Sequence, residues 1–280
     1  MNSDTIAQGV TIGAPPDHLS PEGQSWALAA HAPGRLAAAA YTPLRSMLQT
    51  LMAKCGLLRI DHALGLLRSF WIPDDGSPGG YITQPLESLL AVITIEAHRA
   101  GCVIVGEDLG LVPDGFRSAM NEAGLYSYAV WQFEANHLDE IRPAHTLPPL
   151  SLACFGTHDT PTLNGFWYGN DVEWWHRVGR LSGSERKSRH AHRSRQRASL
   201  RQVTGLSPNA SPQTISDTVQ SALAASPATL VSVQLDDVFG ELEAQNLPGT
   251  TDAHPNWRRR LGVEVEDMAV HPALNRIADV

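Results

Sequence analysis

The sequence predicts an α/β fold in which helices cover a parallel sheet, and three observations lead to it. The chain has 280 residues, 42% hydrophobic and 18% charged, enough apolar material for one large domain or two small ones with a real core. A unit of helix, glycine and short strand recurs along it. The strands are apolar at successive positions rather than alternating, as strands buried on both faces are.

In chain order, residues 9–28 (GVTIGAPPDHLSPEGQSWAL) hold three prolines and three glycines, which predicts a loop of preset shape. Residues 35–55 place Ala, Leu and Met at helical spacing, with Gly56 as the stop before a strand at 57–61. Helix 86–100, Gly101 and strand 102–107 repeat the unit, and helix 113–123, Gly124 and strand 126–133 repeat it again. Two more strands are read at 151–157 and 229–235, with a polar helical segment, 171–218, between them. No segment repeats closely enough for a solenoid.

Within that helical segment, Arg186 to Arg201 gathers seven of the 21 Lys and Arg and two His. It reads as a solvated helix face: it lacks the aromatics of a single-strand binder, and the net charge of −8 disfavours nucleic acid and anionic membranes. Cys55, Cys102 and Cys154 are widely spaced beside apolar stretches and form no CxxC pair, so they are expected to be reduced and buried. The first residues lack a basic start and an apolar core, and no run approaches 18 apolar residues. The expectation is a soluble, cytoplasmic protein.

The stretch LLRIDHALGLL, 57–67, carries Arg59, Asp61 and His62 inside an apolar run. Polar groups there are costly unless they pair or stand at a strand end. VIVGEDLG and ACFGTHDT follow the same grammar, each passing from apolar residues into a carboxylate, so Asp61, Glu107 and Asp159 are expected at the C-terminal edge of the sheet, where α/β enzymes collect catalytic groups. Taken singly, such a carboxylate is commonly a cap or an ion-pair partner. Three of them suit retaining glycoside chemistry, in which one carboxylate attacks the anomeric carbon and another protonates the leaving oxygen. Arg59 lies two residues before Asp61, hence on the same side of the strand, where its charge favours an anionic nucleophile. The apolar VIVG before Glu107 favours the protonated form that an acid needs. His62 and His158 each flank a carboxylate and offer hydrogen bonds to sugar hydroxyls, although a lone His is often structural. Neither belongs to an HxH or HExxH run, so no metal is expected.

RIDH at 59–62, GEDLG at 106–110 and GTHDT at 156–160 resemble the catalytic motifs of the 4-alpha-glucanotransferases, the amylomaltase or disproportionating-enzyme family of the α-amylase clan. GAPPD at 13–17, GQSW at 23–26, QNLPGTTD at 245–252 and PNWRR at 255–259 resemble further motifs in the same order, so the resemblance spans nearly the whole chain. It implies Asp61 as nucleophile, Glu107 as general acid/base and Asp159 as transition-state stabiliser, with Arg59, His62 and His158 as sugar contacts. It also implies that Trp26, Asn246 and Pro248 line a glucan groove. Ala27 departs from the family, which usually has Gly after this Trp; that matters if the position needs a positive φ.

The implied fold is a (β/α)8 barrel of the TIM type, incomplete here. Residues 1–280 would be its C-terminal portion, with about five strands and the N-terminal ones missing. The implied function is transfer of an α-1,4-glucan segment from a maltodextrin donor to a glucose or maltodextrin acceptor through a glycosyl-Asp intermediate, without a cofactor. The partners would be these glucans and a complementary N-terminal chain. The alternative is an inactive half-barrel or split-enzyme fragment with residual glucan binding.

Overall fold

The structure, a computed structural model, describes residues 3–16 and 23–278; Asp17 of the GAPPD motif lies outside the described residues. It is α/β, and the chain divides into two units, Met1–Tyr128 and Ala129–Val280.

The first unit runs β1 (Ile6–Ala14), β2 (Gln24–His31), α1 (Pro33–Ala38), α2 (Thr42–Met52), β3 (Leu57–Ile60), β4 (Arg68–Pro73), β5 (Gly80–Thr83), α3 (Leu86–Ala100), β6 (Val103–Gly106) and α4 (Phe116–Glu122). β3 and β6 pair in parallel, Leu57 opposite Val103 and Ile60 opposite Gly106. α2 and α3 cover them, packing Leu48, Met52, Leu90 and Ile93 into one cluster with Ile104, Phe116 and Met120. Leu44, Leu48 and Met52 recur every four residues, the spacing that puts them on one helix face.

The structure corrects three expectations here. Residues 9–28 are not a loop alone: β1 and β2 are antiparallel strands in a sheet of order β2-β1-β4-β5. Pro15 and Pro16 follow the last residue of β1 and so end the strand instead of interrupting its ladder, while Gly13 is needed inside it because a Cβ there would strike the carbonyl oxygen of Gln24. The helix read over 35–55 is broken into α1 and α2, with Ala40 and Tyr41 at φ 48° and 56° between them. Pro43 forces the break, since its ring would clash with the carbonyl four residues back in a continuous helix. Cys55, in the turn before β3, is only partly buried, whereas Cys102 and Cys154 are buried; all three are free thiols.

A further sheet has the order β7 (Ser127–Val130), whose first two residues belong to the first unit, then β8 (Ser151–Cys154) and β9 (Leu230–Val231) of the second, β8 and β9 being parallel. Around it lie α5 (Leu163–Tyr168), α6 (Asn170–Arg177), α7 (Gly183–Thr204), α8 (Pro212–Ala224) and α9 (Leu235–Val238). The strand read at 126–133 ends at Val130, because Trp131–Phe133 turns into a 3-10 helix whose buried Trp131 indole donates to the Arg142 carbonyl at 2.7 Å. The strand read at 229–235 shrinks to two residues, and α9 starts at Leu235.

The polar segment 171–218 falls within α6, α7 and α8. α7 opens on a capping box, in which the Ser182 side chain accepts from Glu185 N and Glu185 accepts from Ser182 N. Its basic stretch is not simply solvated: Arg193 forks onto Asp171 at 2.7 and 2.9 Å, with both side chains largely buried. Among the described residues there is no closed barrel, and no helix is long and apolar enough to cross a membrane.

Candidate active site

In the first unit, Asp61 and Glu107 occupy the next position beyond the paired ends of β3 and β6. Adjacent strands lie about 4.8 Å apart, so the two carboxylates start from neighbouring points on one sheet edge. Strand alternation brings Arg59 to Asp61 as expected: Arg59 Nη1 donates to Asp61 Oδ1 at 2.6 Å. The other side of that guanidinium faces the Tyr128 ring, 5.0 Å from its centroid, which steadies a long side chain that the ion pair alone would hold weakly. Asp61 itself is 76% exposed and open to a ligand.

Glu107 is held differently. After Asp61 the chain turns through His62 at φ 48°, a left-handed position, and folds over the end of β6. Ala63 N then donates to the Glu107 carbonyl, and His62 N donates to Glu107 Oε2, both at 2.8 Å. Leu109 N donates to Oε1 at 2.8 Å. The apolar setting read from VIVG is thus only half the picture, since both carboxylate oxygens accept backbone N–H groups and the head group is fixed in orientation. Its neighbour Asp108 points the other way, 1% exposed, and binds Arg117 and Tyr128 N as a structural acid.

Trp26 reaches this edge through a bulge. Ile12 pairs with Leu28 and Gly13 with Ser25, which leaves Trp26 and Ala27 out of the β1–β2 ladder. Ala27 takes φ 53°, the conformation that glycine supplies without strain, so its departure from the family residue falls where it costs most. The bulge aims the Trp26 indole edge-on at His62, with ring centroids 5.0 Å apart.

In the second unit, Asp159 lies on the turn after β8, in a web of threonines. Thr160 Oγ1 accepts from Thr157 N and from Gln132 Nε2, both at 2.8 Å, and Asp159 N donates to Thr157 Oγ1 at 3.1 Å. Gly156 is required there, because a Cβ would meet Gln132 and Thr160. Asn246 Nδ2 donates to Asp159 Oδ1 at 2.6 Å, and His158 Nε2 lies 3.2 Å from Oδ2. A small pocket of about 30 Å³ opens beside them, lined among others by Asp159, Asn246, Pro248 and Trp174. The structure thus groups the site residues read from sequence into two sets: Trp26, Arg59, Asp61, His62 and Glu107 in one unit, and His158, Asp159, Asn246 and Pro248 in the other.

Sequence reasoning passed over Asn256 and Trp257, although PNWRR was in view. Asn256 is the hub of the loop: its Oδ1 accepts from Leu247 N at 2.9 Å, and its Nδ2 donates to Thr250 O at 2.8 Å. The signal was an Asn followed by a bulky aromatic in a segment rich in turn residues.

A sequence profile described as 4-alpha-glucanotransferase, glycoside hydrolase family 77, matches residues 1–264. The chain belongs to the 4-alpha-glucanotransferase family. It is 37% identical over 272 residues to the 4-alpha-glucanotransferase of Mycobacterium tuberculosis (strain H37Rv), which covers 91% of this chain and 37% of that protein. The Haemophilus influenzae 4-alpha-glucanotransferase is 35% identical, covering 92% and 39%. Among solved structures, the amylomaltase of Corynebacterium glutamicum superposes with a TM-score of 0.91 at 30% identity, covering 99% of this chain and 43% of that one. The chain therefore spans less than half the length of these family members.

Proposed function

We propose that this chain carries the catalytic carboxylates of a cytoplasmic 4-alpha-glucanotransferase, which moves a segment of an α-1,4-glucan from a maltodextrin donor to a glucose or maltodextrin acceptor by retaining double displacement. The observation that carries the reading is the pairing of Asp61 and Glu107 on adjacent parallel strand ends. Retaining enzymes need two carboxyl groups about 5–5.5 Å apart, and neighbouring strands supply that spacing.

Asp61 attacks the anomeric carbon while Glu107 gives its proton to the leaving oxygen, leaving a glycosyl ester on Asp61. Before that transfer the acid's proton sits on one of the two oxygens, each of which also accepts a backbone N–H, from His62 or Leu109, so these two N–H groups fix the orientation of the carboxyl for the transfer. In the second half Glu107 takes the proton from the acceptor hydroxyl, and that oxygen displaces Asp61. Asp159, oriented by Asn246, binds sugar hydroxyls through the transition state, and Arg59, His62 and His158 are further sugar contacts. Trp26 and Pro248 bound the groove. The reading includes an incomplete (β/α)8 barrel that a complementary N-terminal chain or segment closes, with its sugar-binding loops.

A Glu107→Gln variant, alone and mixed with the N-terminal part of the Mycobacterium tuberculosis relative, given maltotriosyl fluoride tests the mechanism, because fluoride leaves without an acid whereas the second step still needs the base. Intact mass should rise by one maltotriosyl group, mapped to the peptide containing Asp61. No adduct, or an adduct on another residue, would overturn the assignment.

A further inference from the structure

We propose that Trp257 is a stacking platform for a glucose unit of the bound glucan, a role that rests on the glucanotransferase reading above. Trp257 is 64% exposed, an unusual state for the largest apolar side chain. Its backbone sits at φ 58°, in the left-handed region, which is strained for a bulky residue and persists only where the surroundings impose it. Here they do. Trp257 N donates to Gln245 O at 2.9 Å. The preceding Asn256 is tied to Leu247, Thr250 and His254 through its side chain.

The same closure sets two outputs. Gln245 and Leu247 flank Asn246, whose amide donates to Asp159, and the Trp257 ring is delivered beside His158, with ring centroids 5.5 Å apart and planes tilted by 45°. A hydrophobic role for the ring inside the fold would call for burial, yet the strained backbone holds it exposed beside His158, whose own ring nitrogen lies 3.2 Å from Asp159. A glucose residue fits that setting. Its axial C–H bonds form an apolar face that lies against the electron-rich face of an indole, while its hydroxyls reach His158 and Asp159 at the ring's edge. The ligand class is thus a neutral α-glucan, held at the Asp159 side of the site.

The purified chain is titrated with maltoheptaose by calorimetry, beside Trp257→Ala and Trp257→Phe, with circular dichroism checking that both variants fold. The stacking role predicts a dissociation constant raised about 3- to 10-fold in Trp257→Ala and largely restored in Trp257→Phe, which keeps a flat ring. Unchanged binding in Trp257→Ala, or an equal loss in Trp257→Phe, overturns the inference and leaves the transferase reading intact. A wild-type chain that neither binds maltoheptaose nor acts on maltotriose, alone or mixed with the N-terminal part of the Mycobacterium tuberculosis relative, overturns that reading, and the inference falls with it.

Discussion

Ala27 stands at φ 53° in the bulge that carries Trp26, and His62 at φ 48° in the turn that carries the N–H on Glu107. With Trp257, these positions place backbone strain beside candidate site residues, where a fixed side-chain direction is worth its cost. The strain at Ala27 is the most easily relieved. Ala27→Gly should stabilise the chain by about 0.5–1 kcal/mol, the left-handed penalty exceeding the extra unfolded-state entropy of glycine, and a urea midpoint measures it. A lower midpoint would mean that the bulge does not set this backbone. Residue by residue, the site was legible where chemistry follows from chain parity: Arg59 and Asp61 are two apart on a strand and do meet. Trp257 was not legible, because its significance lies in an exposed ring and a positive φ, neither of which a residue name encodes.

Among the elements, β3, β6 and β8 begin within a residue of where their apolar runs predict, since a strand covered on both faces has no polar alternation to mislead the reading. β1 and β2 escaped it. Their prolines and glycines fall at strand ends and bulges, which composition alone cannot tell from a loop. The short α9 holds a group that sequence gave no reason to notice. Asp237 is 2% exposed; its Oδ1 accepts from Leu163 N at the start of α5 at 2.6 Å, and its Oδ2 has no partner among the described residues.

Burial pushes the Asp237 carboxyl up from 3.8 to about 7. Between those values the folded chain keeps a proton that the unfolded chain releases, so stability falls as pH rises from about 4 to 7 and levels off above. Asp237→Asn should flatten that slope, gaining stability at pH 8 on the order of 4 kcal/mol at most and little at pH 4. Denaturant titrations at the two pH values measure it, and an unchanged slope would contradict the assignment. At the start of α7, Ser182→Ala removes one half of a capping box and should cost about 1 kcal/mol, read from the same titrations. No loss of stability would show the cap to be dispensable.

For the whole molecule, family membership was legible because the motifs RIDH, GEDLG and GTHDT keep their order and flanks over most of the chain. The antiparallel sheet of the first unit was not, since it pairs segments as distant as β1 and β4, and that long-range choice leaves no local signature. We propose glucan transfer by Asp61 and Glu107 on their parallel strand ends, with Asp159 as transition-state stabiliser. Maltotriose tests it most directly, incubated with the purified chain alone and mixed with the N-terminal part of the Mycobacterium tuberculosis relative, each beside Asp61→Asn. Free glucose and a ladder of longer oligosaccharides should form with the wild-type chain and vanish with Asp61→Asn. No products attributable to the chain in either mixture, or the same ladder from Asp61→Asn, would contradict it.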